Sequence, residues 1–243
     1  MTAFSLDGQT ALVTGANTGI GQAIAVALAG AGAQVIAAGR SDCSETVALM
    51  GDRGEGLRLD FADPMAARDV FADRQIDILV NNAGIIRRDD AVDFTETDWD
   101  DVIDVNLKAL FFTCQAFARD CLARGAAGHI VNIASLLSFQ GGIRVPSYTA
   151  SKHGVAGLTK ALANEWAAKG INVNAIAPGY IETNNTEALR NDAKRRTEIL
   201  ARIPAGRWGK PSDLGGAAVF LASAASDYVN GVVLPVDGGW LAR

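Results

Sequence analysis

Histidine and cysteine are both scarce in this chain of 243 residues, which contains two His and three Cys. His129 and His153 are far apart, and neither has a partner at catalytic spacing. Cys43, Cys114 and Cys121 are odd in number and lack the spacing of metal ligands. We therefore expect reduced, buried thiols and no bound metal.

Long apolar runs and clusters of basic residues are also missing. No stretch approaches the roughly 18 apolar residues that a membrane-spanning helix needs, and the opening MTAFSLDGQT lacks a basic region followed by an apolar one. The net charge of −5, with no run of Lys or Arg, leaves no basic excess for a phosphate backbone. The sequence predicts a cytoplasmic protein that binds neither membrane nor nucleic acid.

Short β-branched segments alternate with longer segments of helical periodicity. This pattern is typical of a parallel sheet with helices on both faces, and 49% apolar composition suffices for one large core. We predict a single α/β domain with a doubly wound, Rossmann-type sheet of seven parallel strands. The predicted strands are Thr10–Thr14, Gln34–Ala38, Leu57–Asp60, Ile76–Asn81, His129–Ala134, Asn172–Ile176 and Val232–Val236.

Two long apolar segments, 99–123 and 147–168, are predicted to be helices. Residues 178–204 differ in character, with Asn and Thr clusters and weak helical runs. An insertion after a strand end lies where open α/β sheets bind ligands, so we interpret this segment as a substrate lid. The alternative is a plain helical hairpin on the surface.

Two glycine-containing motifs follow predicted strands. Gly15, Asn17, Thr18, Gly19, Ile20 and Gly21 belong to TGANTGIG, where a glycine-rich turn opening a helix lets backbone N–H groups approach a pyrophosphate. Its TGxxxGxG spacing is not the commoner GxGxxG, and the turn alone is weak evidence. Asn82, Ala83 and Gly84 end the fourth strand at the same sheet edge, although a simple Asn-Gly turn would also explain them.

The second strand ends in Gly39-Arg40 rather than in the acidic residue that binds an unphosphorylated ribose. A guanidinium at Arg40 can pair with a 2′-phosphate, which favours NADP(H), but it could equally stack on adenine or be solvated. Asp60, at the end of the third predicted strand, could accept a hydrogen bond from the adenine amine or cap the following turn.

Tyr148 and Lys152 are four residues apart and share one helix face. A nearby cation favours phenolate, which would adapt Tyr148 to acid or base chemistry near neutral pH. Ser135 closes the fifth strand, where its hydroxyl could donate to a substrate oxygen. Asn106 is a polar residue inside a helix. Taken singly, these could be a surface Tyr/Lys pair, a strand-end cap and a locally bonded Asn.

TGANTGIG, NNAG, Asn106, Ser135, Tyr148-x-x-x-Lys152 and Pro178-Gly179 resemble, in order and spacing, the short-chain dehydrogenase/reductase family over essentially the whole chain. The resemblance implies that Tyr148 is the acid/base and that Ser135 orients and polarises the substrate oxygen. It implies that Lys152 lowers the Tyr148 pKa and binds the nicotinamide ribose, and that Asn106 holds a water. It adds Phe61, Pro178, Gly179, Ile181 and Thr183, together with Tyr148 and Lys152, to the cofactor site. A homotetramer, built through the two long helices, is also implied.

Longer stretches such as SFQGGIRVPSYTASK and RIPAGRWGKPSDL resemble a branch that interconverts 2-keto-3-deoxygluconate and 2,5-diketo-3-deoxygluconate in uronate breakdown. A sugar acid needs a cation for its carboxylate, and we choose Arg144, with Gln140 and Asn184 as further candidates. Arg87 and Arg88, which follow NNAG, and Asn185, in the predicted lid, could also line the pocket. The branch mostly uses NAD(H), which we place first, although Arg40 favours NADP(H).

Two other functions stay open at this point. The same catalytic group could act on another carbonyl, such as a 3-oxoacyl thioester or another sugar. A catalytically silent nucleotide sensor is the alternative from a different class, but the presence of Asn106, Ser135, Tyr148 and Lys152 together argues against it.

Overall fold

The computed structural model describes residues 2–243. It contains β1 (Thr10–Thr14), β2 (Gln34–Gly39), β3 (Gly54–Arg58), β4 (Ile78–Asn81), β5 (Gly128–Ile133), β6 (Ile171–Pro178) and β7 (Val233–Val236). The strands form one sheet in the order β3-β2-β1-β4-β5-β6-β7, and every neighbouring pair is parallel. The predicted seven-stranded, doubly wound α/β fold is confirmed.

Helices cover both faces of this sheet. They are α1 (Gly19–Gly30), α2 (Ser44–Met50), α3 (Glu96–Ile103), α4 (Ala109–Arg124), α5 (Pro146–Trp166), α6 (Glu187–Asn191), α7 (Ala193–Arg202) and α8 (Gly215–Leu221). One core layer packs α1 and α8 on the sheet, and the other packs α4 and α5 on the opposite face. The central strands β1, β4 and β6 are buried almost throughout, as expected where helices cover both faces of a parallel sheet.

The third strand differs most from its prediction, since it covers Gly54–Arg58 rather than 57–60. It lies at the sheet edge and is largely exposed, so its sequence GEGLR lacks the apolar alternation that marks a covered strand. The other predicted strand ends differ from the observed ones by at most two residues. As a consequence, Asp60 lies in the turn after β3 and does not end the strand.

The predicted long helix at 99–123 begins earlier, at Glu96, and is not regular. The Thr95 hydroxyl caps α3 by accepting a hydrogen bond from the Asp98 amide at 3.1 Å. A π-helical turn, Asp104–Lys108, then joins α3 to α4. Such turns insert an extra residue into a helix and often mark functional positions. Asn106 lies in this turn.

The segment at 178–204 forms a short 3₁₀ turn, Asn184–Thr186, followed by α6 and α7. Its inner side is apolar, because Ile199 and Ile203 pack with Leu136, Trp208 and Trp240 in a small cluster apart from the main core. Within residues 2–243, no helix combines the length and apolar character required to cross a membrane.

Candidate active site

Two positions in the turn between β1 and α1 are packed so closely that no side chain fits there. Gly15 has a φ of +62°, and a Cβ there would lie 2.9 Å from the Cα of Ala83. A Cβ on Gly21 would collide with the carbonyl oxygen of Gly15. Glycine is therefore required at both positions, because α1 begins directly against the ends of β1 and β4.

Two side chains hold this turn against the end of β4. The Asn82 amide donates to the carbonyl oxygens of Thr14, at 3.0 Å, and Gly15, at 2.9 Å. In return, the Thr14 hydroxyl accepts from the backbone N–H groups of Asn82 and Ala83. Thr14 was not among the residues predicted from the sequence. The pattern that could have indicated it is a β-branched hydroxyl residue directly before the first glycine of the turn.

A cavity of about 330 Å³ runs from this turn along the carboxyl edge of β2 and β3. The predicted cofactor residues that line it are Gly15, Asn17, Arg40, Asp60, Phe61, Ala83 and Gly84. Ser41, Leu59 and Val105 line it as well and were not predicted. The Thr18 side chain forms no cap bond at the start of α1, so the helix N-terminus can bind a phosphate. This glycine cradle and helix terminus fit a dinucleotide.

The adenosine end of this cavity contains one cation without an ionic partner. Arg40 is exposed directly after β2 and makes no ion pair within residues 2–243. Arg87, by contrast, is paired with Asp98 at 3.2 Å and Asp101 at 3.0 Å. The Asp60 carboxylate accepts from the Ala62 amide at 3.0 Å, as a turn cap does.

A second, smaller cavity of about 140 Å³ adjoins the first and is lined by most of the other predicted cofactor and catalytic residues. It is lined by Ile20, Asn82, Gly84, Ser135, Tyr148, Lys152, Pro178, Gly179, Ile181 and Thr183, and by Ile133, Ala134, Asn185 and Thr186. Thr18, Gly19 and Gly21 line neither cavity and belong to the turn itself. The structure thus places a serine, a tyrosine and a lysine around one small space beside the glycine-rich turn.

The phenol of Tyr148 has a raised pKa in this structure. Burial is the largest cause, while a hydrogen bond with Ser135 and the positive charge of Arg88 act in the opposite direction. Lys152 was expected to lower the pKa of Tyr148. No such effect is seen, although the Lys152 Nζ atom lies 5.5 Å from the Tyr148 ring centroid. The protonated phenol is therefore favoured at neutral pH.

The Lys152 side chain points toward the backbone at the end of β5. Its side chain is only 4% exposed, and its ammonium donates to the carbonyl oxygen of Ile133 at 2.6 Å. Burial lowers the pKa of Lys152 to about 8, because one neutral acceptor replaces the water that would surround a free ammonium.

Asn106 does not point its side chain into the cavity. The Asn106 amide donates to the Ile85 carbonyl oxygen at 2.9 Å and to the Ser151 hydroxyl at 3.3 Å, and its oxygen accepts from the Ile85 amide at 2.8 Å. Both amide hydrogens are thus engaged. The side chain joins the π-helical turn to the segment after β4 and to α5, and the role of Asn106 in holding a water stays a prediction.

The residues chosen for substrate binding are not brought together. Arg144 precedes α5 with a φ of +63°, and its guanidinium pairs with Asp89 at 3.6 Å and Asp90 at 3.0 Å. Arg144 is not part of the helix that carries Tyr148, because α5 begins only at Pro146. Gln140 and Asn184 do not line the cavity either. Asn185 does, and its carbonyl oxygen accepts from Arg88 at 3.0 Å.

Comparisons with known proteins cover the whole chain. Residues 15–241 match the family model described as enoyl-(acyl carrier protein) reductase. The 2-dehydro-3-deoxy-D-gluconate 5-dehydrogenase of Bacillus subtilis is 62% identical, covering 99% of this chain and 98% of the relative, and that of Escherichia coli is 57% identical, covering 100% and 99%. A 2-deoxy-D-gluconate 3-dehydrogenase from Agrobacterium tumefaciens, crystallised with bound NADP, is similar in structure at a TM-score of 0.98 and 70% identity, with both chains fully covered.

The buried lysine predicts a pH-dependent stability difference between the native protein and Lys152→Met. The pKa of Lys152 falls from 10.5 to about 8 on folding. Between these values the unfolded chain binds one more proton than the folded chain, so native stability should rise with pH. Relative to Lys152→Met, the native free energy of unfolding should gain roughly 3 kcal/mol from pH 8 to pH 10.5. Urea unfolding at several pH values measures this, and a difference independent of pH would contradict the assignment.

Proposed function

This chain belongs to the short-chain dehydrogenase/reductase family of NAD(P)-dependent oxidoreductases, and we propose that it interconverts a keto and a hydroxyl group of a deoxy sugar acid. The proposed pair is 2,5-diketo-3-deoxygluconate and 2-keto-3-deoxygluconate. The observation that carries this proposal is the full-length similarity to 2-dehydro-3-deoxy-D-gluconate 5-dehydrogenases at up to 62% identity.

In the direction of ketone reduction, Tyr148 is the proton donor. A nicotinamide dinucleotide, held by the residues of the glycine-rich turn and by Lys152, would supply the hydride for this reduction. Tyr148 then gives its phenolic proton to the carbonyl oxygen, while the Ser135 hydroxyl donates a hydrogen bond to that oxygen. The raised pKa of Tyr148 supports this direction, since it keeps the phenol protonated at neutral pH.

Lys152 and Asn106 have supporting roles in this proposal. A buried ammonium 5.5 Å from the Tyr148 ring stabilises phenolate after the proton has left. With a pKa of about 8, Lys152 can also exchange its own proton near neutral pH. Asn106 positions α5, because it binds the Ser151 hydroxyl, which in turn donates to the Tyr148 carbonyl oxygen at 2.8 Å.

Arg88 is proposed as the partner of the substrate carboxylate, in place of Arg144. Its guanidinium donates to the Asn185 carbonyl oxygen at the edge of the cavity, and its charge reaches Tyr148. It makes no ion pair within the described residues, whereas Arg144 has two acidic partners. A carboxylate is a stronger acceptor than a peptide carbonyl and would compete for this guanidinium.

Residues 178–204 are proposed to form the lid over this substrate. Two arginines bond to carbonyl oxygens in its first turn: Arg88 binds that of Asn185, and Arg190 binds that of Thr183 at 3.2 Å. If a substrate carboxylate takes the Arg88 guanidinium, the bond to Asn185 is released. Substrate binding and the position of the lid are coupled in this way.

NADP(H) is proposed as the preferred cofactor, which reverses the order given to NAD(H) from resemblance alone. The exposed guanidinium of Arg40 has no ionic partner and lines the cofactor cavity. The Agrobacterium tumefaciens relative was crystallised with NADP. A 2′-phosphate would give Arg40 the partner that it lacks in this structure.

The proposed activity predicts that purified protein oxidises NADPH when 2,5-diketo-3-deoxygluconate is added. Tyr148→Phe should bind NADPH with unchanged affinity but lose at least a hundredfold in kcat, because the proton donor is gone and the ring is kept. Absorbance of the reduced cofactor measures turnover, and fluorescence measures binding. A preference for a 3-oxoacyl thioester would refute the proposed substrate, and full turnover by Tyr148→Phe would refute the proton donor.

Arg88→Met should raise KM for the diketo acid and lower kcat/KM about 10- to 100-fold, since an ion-paired hydrogen bond contributes about 1.5–3 kcal/mol. Arg144→Met is the matched control: it removes the same charge from the surface and should leave KM within twofold. Steady-state kinetics with saturating NADPH makes the comparison. Equal effects of the two substitutions would contradict the role of Arg88.

A homotetramer assembled through α3, α4 and α5 is proposed as the active form. The outward side of α5 carries Ala150, Gly157 and Ala161, which are exposed and small enough for close approach of a second helix. Sedimentation velocity at micromolar concentration should give a species of four chains. A monomer as the only species would remove this proposal.

A further inference from the structure

A second arginine without an ionic partner lies beside Arg40. Arg58 is the last residue of β3, and in the parallel pairing of β2 with β3 it is in register with Gly39, the residue directly before Arg40. Neighbouring strands are about 4.8 Å apart. Two guanidinium-bearing residues therefore leave adjacent strand ends at the adenosine end of the cofactor cavity.

Strand alternation places the Arg58 side chain on the α2 side of the sheet. Gly56, two residues earlier, faces α2, because a Cβ there would meet the Val47 side chain at 3.5 Å. Residues two apart in a strand share a face, so Arg58 faces α2 as well. There it lines an open groove together with Arg40 and Ser41, two residues that also line the cofactor cavity.

The charges in this groove are not balanced within the protein. Neither Arg40 nor Arg58 makes an ion pair in the part of the chain that the structure describes. The one carboxylate among the groove residues is that of Asp42, and it is held by the backbone amide of Ser44 at 3.2 Å and by the Ser44 hydroxyl. Two cations without partners thus face a space next to the ribose site, where a doubly charged anion would fit.

We propose that Arg58 and Arg40 together bind the 2′-phosphate of NADP(H), with Arg58 reaching it from the neighbouring strand. The inference rests on the proposed use of NADP(H) and adds a residue that sets its preference over NAD(H). A phosphate offers three acceptor oxygens, so that two guanidinium groups can each bind it in bidentate fashion. Ser41, which directly follows Arg40 and lines the same groove, adds a hydroxyl donor.

Calorimetric binding of two cofactor fragments tests this site without turnover. 2′,5′-ADP carries the 2′-phosphate, and 5′-AMP lacks it. Arg58→Met should weaken 2′,5′-ADP binding about tenfold or more while leaving 5′-AMP binding within twofold, because only the phosphate contact is lost. Arg58→Lys should restore part of the affinity, because an ammonium keeps the charge without the bidentate geometry.

Lys169→Met is the matched control for net charge, since Lys169 is exposed just before β6, four strands away from β2 in the sheet. It should leave both fragments unaffected. Equal loss of 2′,5′-ADP affinity in both variants would overturn the inference, as would unchanged affinity in Arg58→Met or a native protein that binds the two fragments equally well. A native protein that does not oxidise NADPH with the diketo acid would instead refute the proposed function.

Discussion

The buried ammonium of Lys152 imposes the main constraint on this active site. It meets the Ile133 carbonyl oxygen at 2.6 Å where β5 ends, and burial holds its pKa near 8. Since α5 carries both Lys152 and Tyr148, any shift of this helix would move the proton donor as well. The Ser138 hydroxyl also helps to hold α5 in place, because it donates to the Lys152 carbonyl oxygen at 2.7 Å. Burying this cation is unfavourable. The contacts that hold it in place also fix the position of the Tyr148 phenol.

Two asparagine side chains at the carboxyl edge of the sheet bind mainly to backbone groups. Asn82 holds the glycine-rich turn, and Asn106 holds the segment at Ile85. Each satisfies buried peptide groups that the irregular chain after a strand end leaves without partners. Ser135 and Tyr148, by contrast, line the cavity itself. This division explains how a small cavity can contain so many polar residues and still leave room for a reacting carbonyl.

Most of the fold follows from local patterns, because buried parallel strands and amphipathic helices have distinct periodicities. The exposed edge strand β3 was misplaced for the reason that it lacks such a pattern. Arg144 lies outside α5 with a φ of +63°, a backbone conformation that no sequence period reveals. The π-helical turn at Asn106 also has no local signature, since it depends on the side chain meeting Ile85, 21 residues away. Contacts between distant loops set the substrate end of the site.

The proposed function requires direct reduction of one keto group of the sugar acid, at the carbon beside Ser135 and Tyr148. NADPH carrying deuterium at both C4 positions of the nicotinamide tests this with one product analysis by mass spectrometry and NMR. We predict that each turnover of 2,5-diketo-3-deoxygluconate places one deuterium on C5 of the product, with one NADPH consumed. Cofactor oxidation without deuterium in the sugar acid, or with deuterium at another carbon, would contradict it.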